Sequence, residues 1–343
     1  MATDFSPLGA GSFVLPAEWA PHVRCWMAWP CREELWLDRI GAARTATARL
    51  ARTIAQYEPV TMIAREADVA DASVLCGAGI DVLPLAIDDS WVRDTGPTFL
   101  VDDAGGRIGV AWRFNGWGEK YAPYENDAAL AGRLLDRLGL GVRPATVVLE
   151  GGAFCSDGEG TLLITEQCAL NPNRNPGYAL SRMTEVLRDL LGVRKVIWLA
   201  GGLENDETEG HADNIARFAG PGAVLAVSPG EPGDADFEVL SENLDRLRAA
   251  TDAVGRPLDV RMLPRPAPRR VDGRMLPQSY ANFYIANGAV MVPSFDDPAD
   301  ARAASMTAEA FAKRRIETVP AQDIAFGGGA VHCITLEEPA PGP

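Results

Sequence analysis

The sequence predicts an α/β fold of five similar hairpin–helix–strand units arranged in a ring. Three observations lead there. A polar or charged residue, an apolar strand, a Gly- or Asp-containing turn and a second apolar strand recur together along the chain. Amphipathic helical segments fall between these hairpins. Successive units begin about 50 to 70 residues apart, near one fifth of the 343-residue length. A cyclic arrangement would bring equivalent strand ends to one centre; the competing arrangement is an ordinary mixed α+β domain whose hairpins recur by chance.

In chain order, RDTGPTFLVDDAGGRIGVAWRF from Arg93 gives the first hairpin and LEGGAFCSDGEGTLLIT from Leu149 the second, each with a turn of Asp and Gly between β-rich segments. HADNIARFAGPGAVLAV from His211 and YANFYIANGAVMVP from Tyr280 supply the next two, and AFGGGAVHCITLEEP from Ala325 adds a further strand. Helices are expected in AARTATARLARTIAQY from Ala42, NDAALAGRLLDRLG from Asn126, GYALSRMTEVLRDLLG from Gly177 and SENLDRLRAATDAVG from Ser241. Their apolar residues repeat every three or four positions, and three of them close at a Gly, a common helix terminator. VTMIA, ATVVLE, KVIWLA and LDVRML read as single strands. Asp94, Glu150, His211, Asn282 and Cys333 mark the starts of successive units, and residues 1–343 are expected to form one catalytic domain.

A formal charge of −15 argues against a nucleic-acid partner, whose phosphates need clustered Lys and Arg. The acidic surface is mainly a solubility device, with a weak pull on cationic substrates. Six Cys without a CxxC pair read as reduced thiols, mostly buried. The opening MATDFSPLGAGSFVLPAEW lacks the basic start and apolar run of a secretory signal, and no apolar stretch approaches the roughly 18 residues that span a bilayer. The expectation is a cytoplasmic protein without a membrane partner.

Only three His occur, at positions 22, 211 and 332, with no HExxH or DxHxD motif and no clustered Cys/His spacing. Neither metal nor cofactor is therefore expected. His211 and Asp213, two apart at the head of an apolar strand, would face one ligand. Cys333 follows Gly327–Gly329, glycines suited to a tight turn or a close approach. A lone β-segment Cys is usually a buried hydrophobe; if it is reactive, adjacent His332 would face the other way in an extended chain, leaving His211 as the better partner. Glu150, before Gly151 and Gly152, either caps a turn or serves a site. Arg93 is expected in a structural ion pair, whereas Asp94 is a site candidate and Trp91 an apolar wall for an alkyl chain or cation.

With these residues in view, the chain resembles the guanidino-group modifying enzymes of five-bladed α/β-propeller (pentein) fold. The resemblance is closest to agmatine deiminases and bacterial-type peptidylarginine deiminases. It is carried by PAEWAPHVRCWMAWP, DDSWVRDTGPTF, WRFNGWGEKY, LEGGAF, EGHADNIARF, SYANFYIANG and GGGAVHCIT, which span nearly the whole chain in order. It implies Cys333 as nucleophile, His211 as general acid/base, Asp94 and Asp213 as carboxylates gripping the guanidinium, and Glu150 as a further carboxylate at the same group. Two departures border the site: ITLEEP follows the nucleophile where a Gln-containing run is usual, and Ala330-Val331 stands where Asn-Ile is common. The implied reaction converts agmatine to N-carbamoylputrescine and ammonia through a covalent amidino-cysteine. Trp91 and the acidic run at Asp206, Glu207 and Glu209 suit the doubly cationic substrate. Deimination of arginine or peptidyl-arginine, amidino transfer, a non-catalytic guanidine-binding protein and a metallohydrolase are the alternatives, and a homodimer is expected from the resemblance alone.

Overall fold

The computed structural model describes residues 13–341. Most of the opening segment read for a secretory signal lies outside the described residues. Strands β1 (His22–Ala28), β2 (Val60–Ala64) and β3 (Ile80–Pro84) come first. They are followed by β4 (Thr98–Val101), β5 (Arg107–Arg113) and β6 (Gly141–Val148). Next are β7 (Phe154–Ser156), β8 (Thr161–Thr165), β9 (Lys195–Leu199), β10 (Ala216–Gly220), β11 (Ala223–Val227) and β12 (Asp259–Leu263). A two-stranded ribbon, β13 (Arg270–Val271) and β14 (Arg274–Met275), precedes β15 (Tyr284–Ala286), β16 (Ala289–Ser294), β17 (Arg315–Pro320) and β18 (Thr335–Pro339).

These strands form a mixed α/β fold of small sheets ordered β4-β5-β6, β7-β8-β9, β10-β11-β12, β15-β16-β17 and β18-β1-β2-β3, with the β13-β14 ribbon apart. In the first four, an antiparallel hairpin is followed by a strand parallel to its second member. A parallel neighbour requires a crossover, and helices Leu130–Leu138, Leu180–Leu191, Phe237–Ala249 and Asp300–Ala310 supply it. In the fifth sheet the hairpin is split between the chain ends: β18 pairs antiparallel with β1, and helix Ile40–Ile54 leads to parallel β2. The repeat read from the sequence is present, and its last unit is completed by a strand some 300 residues upstream.

Local departures have local causes. Helices Leu130–Leu138 and Leu180–Leu191 end on left-handed Gly139 and Gly192, but helix Phe237–Ala249 stops before extended Ala250, so Gly255 serves a later turn. Strand β6 ends at Val148, which leaves Glu150 outside it. Helix Asp300–Ala310 escaped the sequence reading because its buried face consists of small Ala303 and Thr307, a weak periodic signal. Among the described residues, no helix is long and apolar enough to cross a membrane.

Candidate active site

Each marker residue lies just before the first strand of its hairpin, in a short turn. Asp94 sits in the helical turn Val92–Thr95, ahead of β4. Glu150 precedes the 3-10 turn Gly151–Ala153, ahead of β7, and His211 precedes the 3-10 turn Ala212–Asn214 that holds Asp213, ahead of β10. Cys333 belongs to a turn before β18. Asp94, Asp213 and Cys333 each sit in a turn rather than a strand, so the alternation argument for His211–Asp213 and His332–Cys333 rested on the wrong local geometry. The convergence it anticipated is nevertheless present, because the turns set these side chains toward one point.

Gly152 lies at that point. A Cβ placed there would be 2.7 Å from His211 Nδ1, 2.8 Å from Asp213 Oδ2 and 2.9 Å from Asp94 Oδ1. Its own N–H donates to Asp94 Oδ1 at 2.9 Å, and Trp117 Nε1 donates to Asp94 Oδ2 at the same distance. Cys333 Sγ is 3.7 Å from Asp213 Oδ2 and accepts from Asn282 Nδ2 at 3.3 Å. His211 reaches Glu150 Oε2 through Nε2 at 3.4 Å, and its Nδ1 lies 3.7 Å from Asp94. Two polar atoms here are buried without a partner, His211 Nδ1 and Asp213 Oδ1. Orphan buried groups are costly, so a pair of them beside a thiol marks a place for a ligand.

The three glycines before Cys333 are required by packing and by backbone. A Cβ on Gly327 would strike the Trp36 ring at 2.2 Å, and one on Gly329 would meet Trp91 at 2.5 Å and Cys333 Sγ at 3.0 Å. Gly328 has φ +106, which side-chain-bearing residues rarely adopt. The Trp36 and Trp91 rings stack at 5.6 Å, and Asp89 accepts from Trp36 Nε1, making a rigid wall beside the thiol. The cleft between this wall and Trp117 is lined at its outer end by Arg32, Tyr121 and Glu207.

Charges are set by what surrounds them. Burial raises the Asp94 carboxyl to about 6, with neighbouring Asp213 and Glu150 adding to the rise and His211 opposing it. Burial acts in the same sense on Glu150, but Arg174 and His211 outweigh it and hold that carboxyl at about 2. Burial disfavours the imidazolium of His211, yet the Asp94 and Glu150 carboxylates raise it well above its ordinary value. The Cys333 thiol is pushed well up by burial and by Asp213 and Asp94, so without a cation in the cleft it stays protonated.

Several residues that the sequence did not assign to the site support it. Arg174 Nε donates to both Glu150 oxygens at 2.8 and 3.1 Å, and its other nitrogens reach Glu209 and the Thr208 carbonyl. His332 Nδ1 lies 2.8 Å from Asp213 Oδ2 and its Nε2 3.1 Å from Glu18, which also pairs with buried Arg217. Arg93 forms the expected ion pair, with Glu337. Trp117 and Glu18 lie inside the quoted motifs WRFNGWGEKY and PAEWAPHVRCWMAWP, whereas Arg174, in the turn-forming NPNRNPG, carried no signal of burial. Glu150, Cys168 and His211 offer potential metal-ligand atoms within 4.8 Å of one another.

The family model for Porphyromonas-type peptidyl-arginine deiminases matches residues 14–339. The chain belongs to that family. Among its members' kin, agmatine deiminase of Stutzerimonas stutzeri strain A1501 is 41% identical over 369 residues, covering 99% of each chain. Agmatine deiminase of Pseudomonas aeruginosa strain LESB58 is 40% identical over 365 residues, again covering 99% of both. The solved structure of agmatine deiminase of Enterococcus faecalis superposes with a TM-score of 0.93 at 32% identity, covering 98% of this chain and 100% of that one. The α/β fold of this family member is thus shared along its whole length.

Proposed function

We infer that the protein is an agmatine deiminase, a hydrolase of linear amidines that releases ammonia and N-carbamoylputrescine through an amidino-cysteine. The observation that carries this reading is the thiol of Cys333 set 3.7 Å from the Asp213 carboxylate, with Asp213 and His211 converging on Gly152 and their Oδ1 and Nδ1 atoms buried without partners. A guanidinium donates through planar N–H groups, and carboxylates that accept them fix its plane and offset the cost of burying its charge. Asp94 and Asp213 are the proposed clamps, with Glu150 as a third carboxylate at the same group. The five hairpin–helix–strand units, whose leading turns carry Asp94, Glu150, His211, Asn282 and Cys333, support a five-bladed propeller forming a single catalytic domain, with its site at the centre.

The electrostatics support one order of events. Because Asp213 and Asp94 hold the Cys333 thiol protonated, a bound cation that neutralises them favours thiolate, and the thiol proton leaves as substrate binds. The thiolate attacks the guanidinium carbon, and His211, held as imidazolium, protonates the departing nitrogen, which leaves as ammonia. Neutral His211 then takes a proton from water as its oxygen attacks the amidino carbon. Collapse of that adduct breaks the C–S bond and frees the ureido product. No step draws on a metal or cofactor.

Agmatine is favoured over arginine by the outer cleft. Glu207 offers negative charge there, and Tyr121 donates its hydroxyl to it. Arg32, the cation that lines this cleft, is committed to the carbonyls of Ala122 and Pro123 at 3.2 and 2.6 Å. A cytoplasmic location and a homodimer accompany this reading; six unpaired thiols support the first, and light scattering tests the second. The deciding experiment incubates the protein with agmatine, arginine and a blocked arginine peptide and measures ureido product and ammonia. Agmatine is expected to turn over fastest, and Cys333→Ser to lower turnover by more than about 1000-fold. Normal activity in that variant would falsify the nucleophile assignment.

A further inference from the structure

We propose that Glu150, Cys168 and His211 form a zinc-binding site behind the catalytic cleft, and that a zinc ion held there switches the enzyme off. No step of the deiminase reaction uses Cys168, yet its Sγ is fully buried 3.6 Å from Glu150 Oε2. His211 Nε2 lies 3.4 Å from the same oxygen, and the three donor atoms are all within 4.8 Å of one another. Tetrahedral zinc, with bonds of about 2.0–2.3 Å, separates its donors by about 3.3–3.7 Å, so two of the three spacings already fit.

The donor set selects the metal. Thiolate, imidazole and carboxylate suit zinc, whereas magnesium and calcium call for oxygen donors. Arg174 does not preclude occupancy. Its Nε donates to Glu150 Oε1 at 2.8 Å and more weakly to Oε2 at 3.1 Å, so a metal on Oε2 displaces only the longer contact and the shorter one is kept. A ligating carboxylate commonly carries such a hydrogen bond on its other oxygen. His211 forms the partition between the cluster and the cleft, since its opposite nitrogen faces Asp94, which lines the cleft with Cys333. A metal on Nε2 occupies a nitrogen of the ring that carries protons in the reaction and ties down Glu150 as well. Zinc binding and turnover therefore exclude each other.

The inhibition rests on the deiminase reading, but the binding does not, and the test separates them. Zinc chloride is titrated into chelator-treated full-length protein, with bound metal measured by equilibrium dialysis and agmatine turnover in parallel. Cobalt(II), substituted for zinc, reports a thiolate ligand through charge-transfer absorption. One zinc per chain is expected, with at least tenfold (~10-fold) loss of turnover, recovered on chelation. Cys168→Ser and Cys168→Ala should keep metal-free turnover within about threefold, bind zinc at least about 10-fold more weakly and lose the cobalt–thiolate band. Cys333→Ser should still take up the metal and show the band. Wild-type affinity in both Cys168 variants, loss of binding in Cys333→Ser instead, absence of binding in the wild type, or full turnover with zinc bound would each overturn the proposal.

Discussion

Replacing Gly152 with alanine probes the geometry on which the proposed chemistry depends. The new methyl would lie about 0.5–0.7 Å inside ordinary contact with His211 Nδ1, Asp213 Oδ2 and Asp94 Oδ1 simultaneously. These atoms come from two separate turns, Val92–Thr95 and the one that joins His211 to Asn214, so relief requires His211, Asp213 and Asp94 to retreat together or the Gly151–Ala153 turn to shift. Overpacking of this kind costs about 1–3 kcal/mol, which leaves a domain of this size folded. Catalysis is less forgiving, since a displacement approaching 1 Å costs about 100-fold in rate. The expected result is a folded variant with kcat/KM for agmatine reduced about 100-fold, measured as ureido product alongside a urea melt. Turnover within about threefold of wild type in a folded variant would refute the convergence of these groups on the reacting guanidinium.

Further perturbations address the charges. Arg174→Met strands Glu150 in a fully buried setting and should cost about 3–5 kcal/mol in urea denaturation at pH 7. Because the Glu150 carboxyl is lowered to about 2, that stabilisation is present above its unfolded value and is lost as pH falls, so the gap between variant and wild type should narrow in acid. Asp94, raised to about 6, behaves oppositely: its charge costs stability above that pH, so Asp94→Asn should stabilise the empty protein by about 1–3 kcal/mol at pH 8 while abolishing turnover. In the wild type, kcat/KM for agmatine should fall on the acid side with a midpoint near 6, and a flat profile down to pH ~5 would contradict the role of Asp94. Glu207→Gln should raise KM for agmatine about fivefold at unchanged kcat, as expected for an exposed charge contact at the far end of the substrate.

Where sequence reasoning misplaced a residue, the cause was local. Asp213 was placed at the head of a strand and Cys333 in a β segment because each precedes a clear apolar run, but each occupies a turn of a few residues. Alternation is a property of long strands, and a turn of three or four residues leaves no periodic trace. Arg174 shows a different limit. It is buried with its Nε donating to both Glu150 oxygens, yet an Arg in a Pro- and Asn-rich turn is usually at the surface, so only coordinates reveal it as part of the site. Gly327 and Gly329 lie between the two: their cluster was conspicuous, but which rings press on them depends on the Trp36–Trp91 stack.

The sequence alone determined the repeating unit, the helices with strong apolar faces, the family, and which polar residues head each hairpin. These follow from patterns spanning neighbouring residues, where one element's propensity and periodicity suffice. Tertiary structure alone decided that β18 completes its hairpin with β1, that Asp213 is braced by His332 and Glu18, and that Arg174 keeps Glu150 ionised. Those outcomes depend on distances between segments far apart in the chain. The burial that moves the Asp94, Glu150 and Cys333 proton affinities arises only when such segments pack together and exclude water.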